Sequence, residues 1–180
     1  MAGSKALGYE VKMDYSGLDA LWKHLQDLNQ KEIEYGFVNE AVYPPDDPRG
    51  RGGQRVAHVA WLNENGFTLP NGNYSPPRPF FTQSLAKAKW FVRQSAPAVF
   101  ANILQGKQEK NMVEMGKWLV ESVKETIDEQ NFEPNSALTL EQKSPETMIL
   151  HDTSFMYENI TAKIVNNDAY GQRKKEVEIK

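Results

Sequence analysis

The chain has 180 residues, enough for one domain with its own core. It is 39% hydrophobic and 25% charged, and its eight Phe, seven Tyr and four Trp are too much apolar surface for a chain disordered throughout. Its 21 Lys and Arg against 24 Asp and Glu give a formal charge of −3, which argues against a dedicated nucleic-acid binder, and the absence of Cys removes disulfides, thiolate nucleophiles and Cys metal sites.

Residues 8–15 alternate Tyr9, Val11, Met13 and Tyr15 with Glu10, Lys12 and Asp14, the period of a half-buried strand. Ser16 is expected to cap the helix that follows, with Asp19 completing a capping box. Leu18, Leu21, Trp22, Leu25 and Leu28 share one face of that helix, which ends near 29–31. Ile33, Tyr35 and Phe37 predict a second strand. Residues 40–54, with three Pro and three Gly, read as a long loop of the kind that is functional or mobile. Val56, Val59, Ala60 and Asn63 predict a short helix stopped by Gly66. A second Pro-rich loop covers 67–79, turning at Asn71-Gly72.

From Phe81 to Ile103 apolar residues recur every three or four positions. Pro97 is expected to kink or restart this helix, with Ser95 as the new cap. After Gly106, residues Met112, Met115, Leu119, Val120, Val123 and Ile127 predict a helix of about 20 residues. Residues 131–151 are irregular, with one helical turn around Thr139–Lys143. A short helix begins near Asp152, and strand-like alternation returns at 160–165 and 176–180. Segregated strands and helices predict a single α+β domain over 1–180: a small antiparallel sheet packed against several helices, with long Pro/Gly-rich loops. No run of 18 apolar residues is present, so no membrane span is expected. The opening MAGSKALGYEVK lacks both a signal-peptide core and a myristoylation pattern.

Candidate chemistry is thin. His151-Asp152-Thr153-Ser154 has the residue types of a triad, but triad members come from separate elements, and Asp152 or Thr153 reads as a helix cap. His58 and Glu64 lie six apart, which is no common ligand spacing. Glu64 reads as a surface or interface carboxylate. Gly50-Arg51-Gly52-Gly53 lacks the phosphate-loop pattern and reads as a flexible loop. No metal or cofactor is expected.

Charge is unevenly placed. Residues 78–110 hold six cations and one anion, whereas 114–133 hold six anions and two cations. Two antiparallel helices pairing within one chain explain this. So does a heterologous interface between subunits, of the kind that closes into rings. Pro76-Pro77-Arg78-Pro79-Phe80-Phe81 reads as a stiff loop anchored by aromatics. It either packs on the helices behind or presents Arg78 to a partner.

Three segments carry a family resemblance: Val59-Ala60-Trp61-Leu62-Asn63-Glu64-Asn65-Gly66, then Pro77-Arg78-Pro79-Phe80-Phe81, then Leu150-His151-Asp152-Thr153-Ser154-Phe155-Met156. In order and spacing the chain resembles, over roughly 8–167, the tailed-bacteriophage tail-component family, also called neck or tail-completion proteins. Members of that family show A-x-x-N-E-x-G, P-x-R-P-F and L-x-D-T-G-x-L. Ser154 replaces the family's Gly. Ala137–Lys143 blurs the family's S-P-x-T-x-x-K. The 40–54 loop and the tail 172–180 lie outside the pattern.

The resemblance implies a structural virion protein at the head–tail junction, assembled in the host cytoplasm as a homo-oligomeric, sixfold-related ring. Its implied partners are further copies of itself, head-side connector proteins, and tail tube or terminator proteins. Asn63, Glu64, Gly66, Pro77, Arg78, Pro79, Phe80, Phe81, Asp152 and Thr153 become interface or structural positions. No catalytic residue carries over, and no membrane is implied. Arg49, Arg51 and Arg55 would meet passing DNA in a ring lumen. The alternatives are a tail terminator capping the tail tube and a small hydrolase using Glu64, His58 or Asp152.

Overall fold

The computed structural model describes residues 4–6, 9–11, 14–134, 148–151, 154–167 and 173–179. The elements run β1 (Ser4–Ala6), β2 (Tyr9–Val11), α1 (Ser16–Asn29), β3 (Lys31–Gly36), α2 (Val56–Asn65), β4 (Phe67–Thr68), β5 (Tyr74–Ser75), α3 (Phe80–Leu104), α4 (Gln108–Asp128), α5 (Phe155–Glu158), β6 (Thr161–Asn167) and β7 (Arg173–Ile179). The fold is α+β, as the order of elements predicts.

Its centre is an antiparallel sheet ordered β3–β6–β7. The register sets Ile33 beside Ile164 and Ile164 beside Val177, so one face is apolar. That face buries Ala162, Ile164 and Ile179 with Met112 of α4. Gly116 permits the approach, because a Cβ there would collide with Cδ1 of Ile179. On the other face Lys163 Nζ lies 3.4 Å from Glu34 and 3.0 Å from Glu176, and Arg173 pairs with both carboxylates. Arg173–Ile179 of the C-terminal tail thus supplies an edge strand of the sheet.

A second core joins Tyr43, Val56, Phe80, Val123, Ile127 and Ile160. α3 and α4 fold back on each other at Gly106, whose φ of +70° suits glycine. Lys87 Nζ meets Glu129 at 2.6 Å, and the Phe91 and Trp118 rings stack at 3.8 Å. At this pair the charge split is used within the chain.

Several expectations are corrected. The 8–15 strand does not reach Tyr15, which is an exposed residue flanking α1, and Tyr9–Val11 pairs instead with Ser4–Ala6. Ser16 does not cap α1 through its side chain. Asp14 does the capping, its carboxylate accepting the Ser16 N–H at 2.9 Å and being held below its ordinary pKa by that bond. α3 is one helix through Pro97 and does not restart there. The carbonyl that Pro97 orphans belongs to exposed Arg93, where water can donate to it. Ser95 is no cap; its hydroxyl donates to the Val92 carbonyl at 3.3 Å. The turn expected at Thr139–Lys143 lies outside the described residues.

Candidate functional site

The motif residues meet at the junction of α2 and α3. Within α2 the Asn63 side chain donates to the Val59 carbonyl at 2.8 Å, and the Asn63 carbonyl accepts the Arg78 N–H at 2.8 Å. Gly66 follows with φ +74°, and a Cβ there would stand 2.9 Å from Pro77 N, Ser75 O and the Tyr74 hydroxyl. Only glycine fits both the dihedral and the space. The chain then turns through a hairpin, β4 against β5, with Gly72 N–H donating to Leu69 O at 2.9 Å. It returns along α2 as Pro76–Pro79.

α3 begins at Phe80 with Pro79 at the capping position, where a proline has no side-chain acceptor to offer. Glu64 supplies the missing acceptor from the neighbouring helix. Its Oε2 accepts the Phe81 N–H and its Oε1 the Thr82 N–H, each at 2.9 Å. Two of the four orphan donors of a helix start are satisfied by one carboxylate, which also sits at the positive end of the helix dipole. Glu64 is therefore a cap inside the chain, not a free surface carboxylate.

The loop is anchored inward at three places. Phe80 is buried, edge-on to Phe37 at 6.4 Å. Phe81 stacks on Tyr35 at 5.2 Å and fills the space a side chain at Gly36 would need. Arg78 is only 7% exposed. One of its terminal nitrogens lies 3.4 Å from Asn63 Oδ1 and from Ser75 Oγ. Burial lowers the guanidinium pKa, and the Glu133 carboxylate opposes the shift. The reading in which the loop presents Arg78 outward is corrected: Arg78 is built into the chain's own corner.

The 40–54 segment is a knitted loop rather than a flexible one. Tyr43 is buried and closes the neck, its N–H donating to Gln54 O at 2.9 Å and its carbonyl accepting the Gly53 N–H at 3.0 Å. Asp47 accepts a two-pronged pair from Arg51, at 3.0 and 2.8 Å, together with the N–H groups of Arg49 and Arg51. The Arg51 hydrogen bond leads in holding the Asp47 carboxyl below its ordinary pKa. Arg51 also lies over the Tyr43 ring at 4.3 Å. Of the three arginines proposed to meet DNA, Arg51 is committed to this loop. Arg49 is exposed, and Arg55 is exposed within 3.7 Å of Glu40.

His58 is exposed and stacks on Trp61 at 6.5 Å. Among the described residues no cluster of three or more His, Asp or Glu could hold a metal ion. No described helix is long and apolar enough to cross a membrane.

Asp152 and Thr153 lie outside the described residues. Their neighbours pin the chain to α4. His151 Nε2 sits 2.9 Å from Asp128 Oδ1, and the Tyr157 hydroxyl donates to Asp128 Oδ2 at 2.9 Å. Burial first, then that bond, push the Tyr157 hydroxyl up to about 12. The Gln130 amide pairs with both backbone groups of Ile149, accepting its N–H at 2.6 Å and donating to its carbonyl at 3.0 Å. Ser154 adopts φ +53°, so the left-handed backbone that a glycine favours is kept without the glycine.

Sequence reasoning singles out Asn63, Glu64, Gly66 and Pro77–Phe81 but not that they meet in one corner, nor what holds them there. The Glu64 cap spans 17 residues to Phe81, and no local pattern announces it. Asp47 and Arg51 carry a signal, an opposite-charge pair four residues apart, but the surrounding Pro and Gly hide it.

The chain finds no match among known proteins, whether as a family model, a curated relative or a solved structure. The resemblance to the phage family therefore rests on the three ordered motifs.

Proposed function

We propose that this chain is a structural subunit of a tailed-phage particle, forming a homo-oligomeric ring at the head–tail junction and residing in the virion. One observation carries the reading. The motif residues are spent on building a rigid corner of the subunit, while two helices leave aromatic side chains uncovered. Asn63, Glu64 and Arg78 bond to backbone or side chains of their own chain. Trp22 on α1 and Trp90 on α3 are 63% and 65% exposed. A corner bonded within its own chain suits a building block, and uncovered aromatics suit contact with neighbours.

In this reading the ring binds head-side connector proteins on one rim and tail tube or terminator proteins on the other. Passing DNA would meet Arg49 and Arg55, with salt-dependent and sequence-independent affinity. The tail-terminator reading differs only in which ring the subunit builds. Negative-stain imaging of the purified chain, alone and mixed with connector and tail components, tests the proposal. Rings of uniform diameter are expected. A chain that stays monomeric in every mixture overturns it.

A further inference from the structure

α1 and α3 each leave apolar side chains uncovered by the described residues. On the α1 face formed by Leu18, Leu21, Trp22, Leu25 and Leu28, the residues Leu21, Leu25 and Leu28 are half-buried and Leu28 packs on the sheet core, whereas Leu18 and Trp22 are exposed. α3 has no buried residue between Ala88 and Ile103, and on that stretch Trp90 and Phe100 stand exposed. Scattered apolar residues on a surface need no account, but aromatics gathered on two helices mark an interface.

α1 leans on the α3–α4 corner along one edge of its apolar face: the His24 ring would meet a side chain at Gly106 at 3.0 Å, and Leu28 packs on the core around Met112 and Ile164. Leu21 and Leu28, three residues before and four after His24, turn inward with it, whereas Trp22, two residues before His24, faces roughly the opposite side and stays exposed with Leu18.

Charge selects the partner. α3 carries Lys87, Lys89 and Arg93 and no acid. Lys87 is paired with Glu129, whereas Lys89 and Arg93 are exposed and form no ion pair among the described residues. They share a helix face with Phe100, at steps of four and seven. Residues 14–29 carry Asp14, Asp19 and Asp27 against Lys23. Asp14 caps α1 and Asp27 pairs with Lys31, which leaves exposed Asp19 beside Leu18 and three residues before Trp22. One acid, Asp19, with exposed Lys23 a turn further on, thus stands beside the uncovered side chains of α1, and two cations stand beside those of α3.

We infer that α1 of one copy seats on α3 of the next: Leu18 and Trp22 pack against Trp90 and Phe100, and Asp19 faces Lys89 and Arg93. The inference rests on the self-assembly reading above and names the surface that carries it. Two different surfaces of one chain meet, so the contact is heterologous and closes into a ring when the rotation allows. The aromatics supply affinity, and the charges set orientation and partner choice.

Light scattering and sedimentation of the full chain test it. Trp22→Ala and Trp90→Ala are each expected to weaken association roughly 30-fold, with the thermal midpoint of the dissociated chain, measured below its association concentration, unchanged because both side chains are exposed. Asp19→Arg and Arg93→Asp are each expected to weaken association, and the double variant D19R/R93D to recover it. If the wild-type chain assembles and these variants assemble equally well, the surface is wrong and the ring reading stands. If the double variant fails to recover, the head-to-tail pairing is overturned. Lowered midpoints of the dissociated Trp variants would assign those side chains to the fold instead. A wild-type chain that is monomeric in these measurements removes the self-assembly reading itself.

Discussion

The carboxylate of Glu64 accepts the backbone N–H of Phe81 at 2.9 Å, joining the last turn of α2 to the first turn of α3 across 17 residues of sequence. Its second oxygen takes the Thr82 N–H. This one side chain sets where α3 begins and fixes the return path of the Pro76–Pro79 loop.

Glu64→Ala removes that cap. Loss of a capping acceptor and of a carboxylate at a helix start costs about 1–2 kcal/mol. For a chain of this size the thermal midpoint is expected to fall by roughly 2–8 °C. Calorimetry checks it, and Glu64→Asp, too short to reach both donors, is expected to recover little.

Arg78→Ala is expected to act on folding before assembly. The side chain is buried beside Asn63 and Ser75, and its removal leaves a cavity and the Glu133 charge less compensated. The expected loss is about 2–3 kcal/mol, in the range for a buried polar network. Denaturant unfolding measures it. A variant as stable as wild type but defective in association would contradict the inward placement.

Strands near β3, β6 and β7, the length of α4 and the stop at Gly66 are legible in the sequence because each is a local periodic or steric signal, whereas the register between those strands is long-range and is not. Ser16 carries the capping-box pattern, but Asp14, two residues earlier, offers a stronger acceptor at a position that pattern does not inspect. Pro97 does not restart the helix, because the carbonyl it orphans belongs to exposed Arg93, where water can donate to it. The 40–54 loop was legible as a loop, but not its order, which depends on Tyr43 reaching the core and on Asp47 gathering four donor groups. The candidate corner was legible as a set of residues, whereas its bonds are long-range and leave no local trace.

Ser154→Gly is expected to stabilise the chain. Ser154 holds φ +53°, a conformation that costs an L-residue about 1–2 kcal/mol and glycine little. Glycine's greater freedom in the unfolded chain offsets part of this, so a gain of about 0.5–1 kcal/mol is expected. Unfolding by urea measures it, and a loss of stability would contradict the left-handed assignment.

Asp47→Asn is expected to destabilise the chain at neutral pH by about 1–2 kcal/mol, since bonds to a charged acceptor are the stronger kind. The folded pKa of Asp47 is lowered from 3.8, chiefly by the Arg51 hydrogen bond. A depressed folded pKa contributes stability above the unfolded value and loses it as pH falls through the folded one. The gap between wild type and variant is therefore expected to be constant above about pH 5 and to shrink below 3.8. Unfolding curves across that window check the sign.

Gold labelling of intact virions with an antibody to this chain tests the central claim most directly. The account predicts label at the junction between head and tail. Particles that carry no label, or carry it only elsewhere, would contradict it.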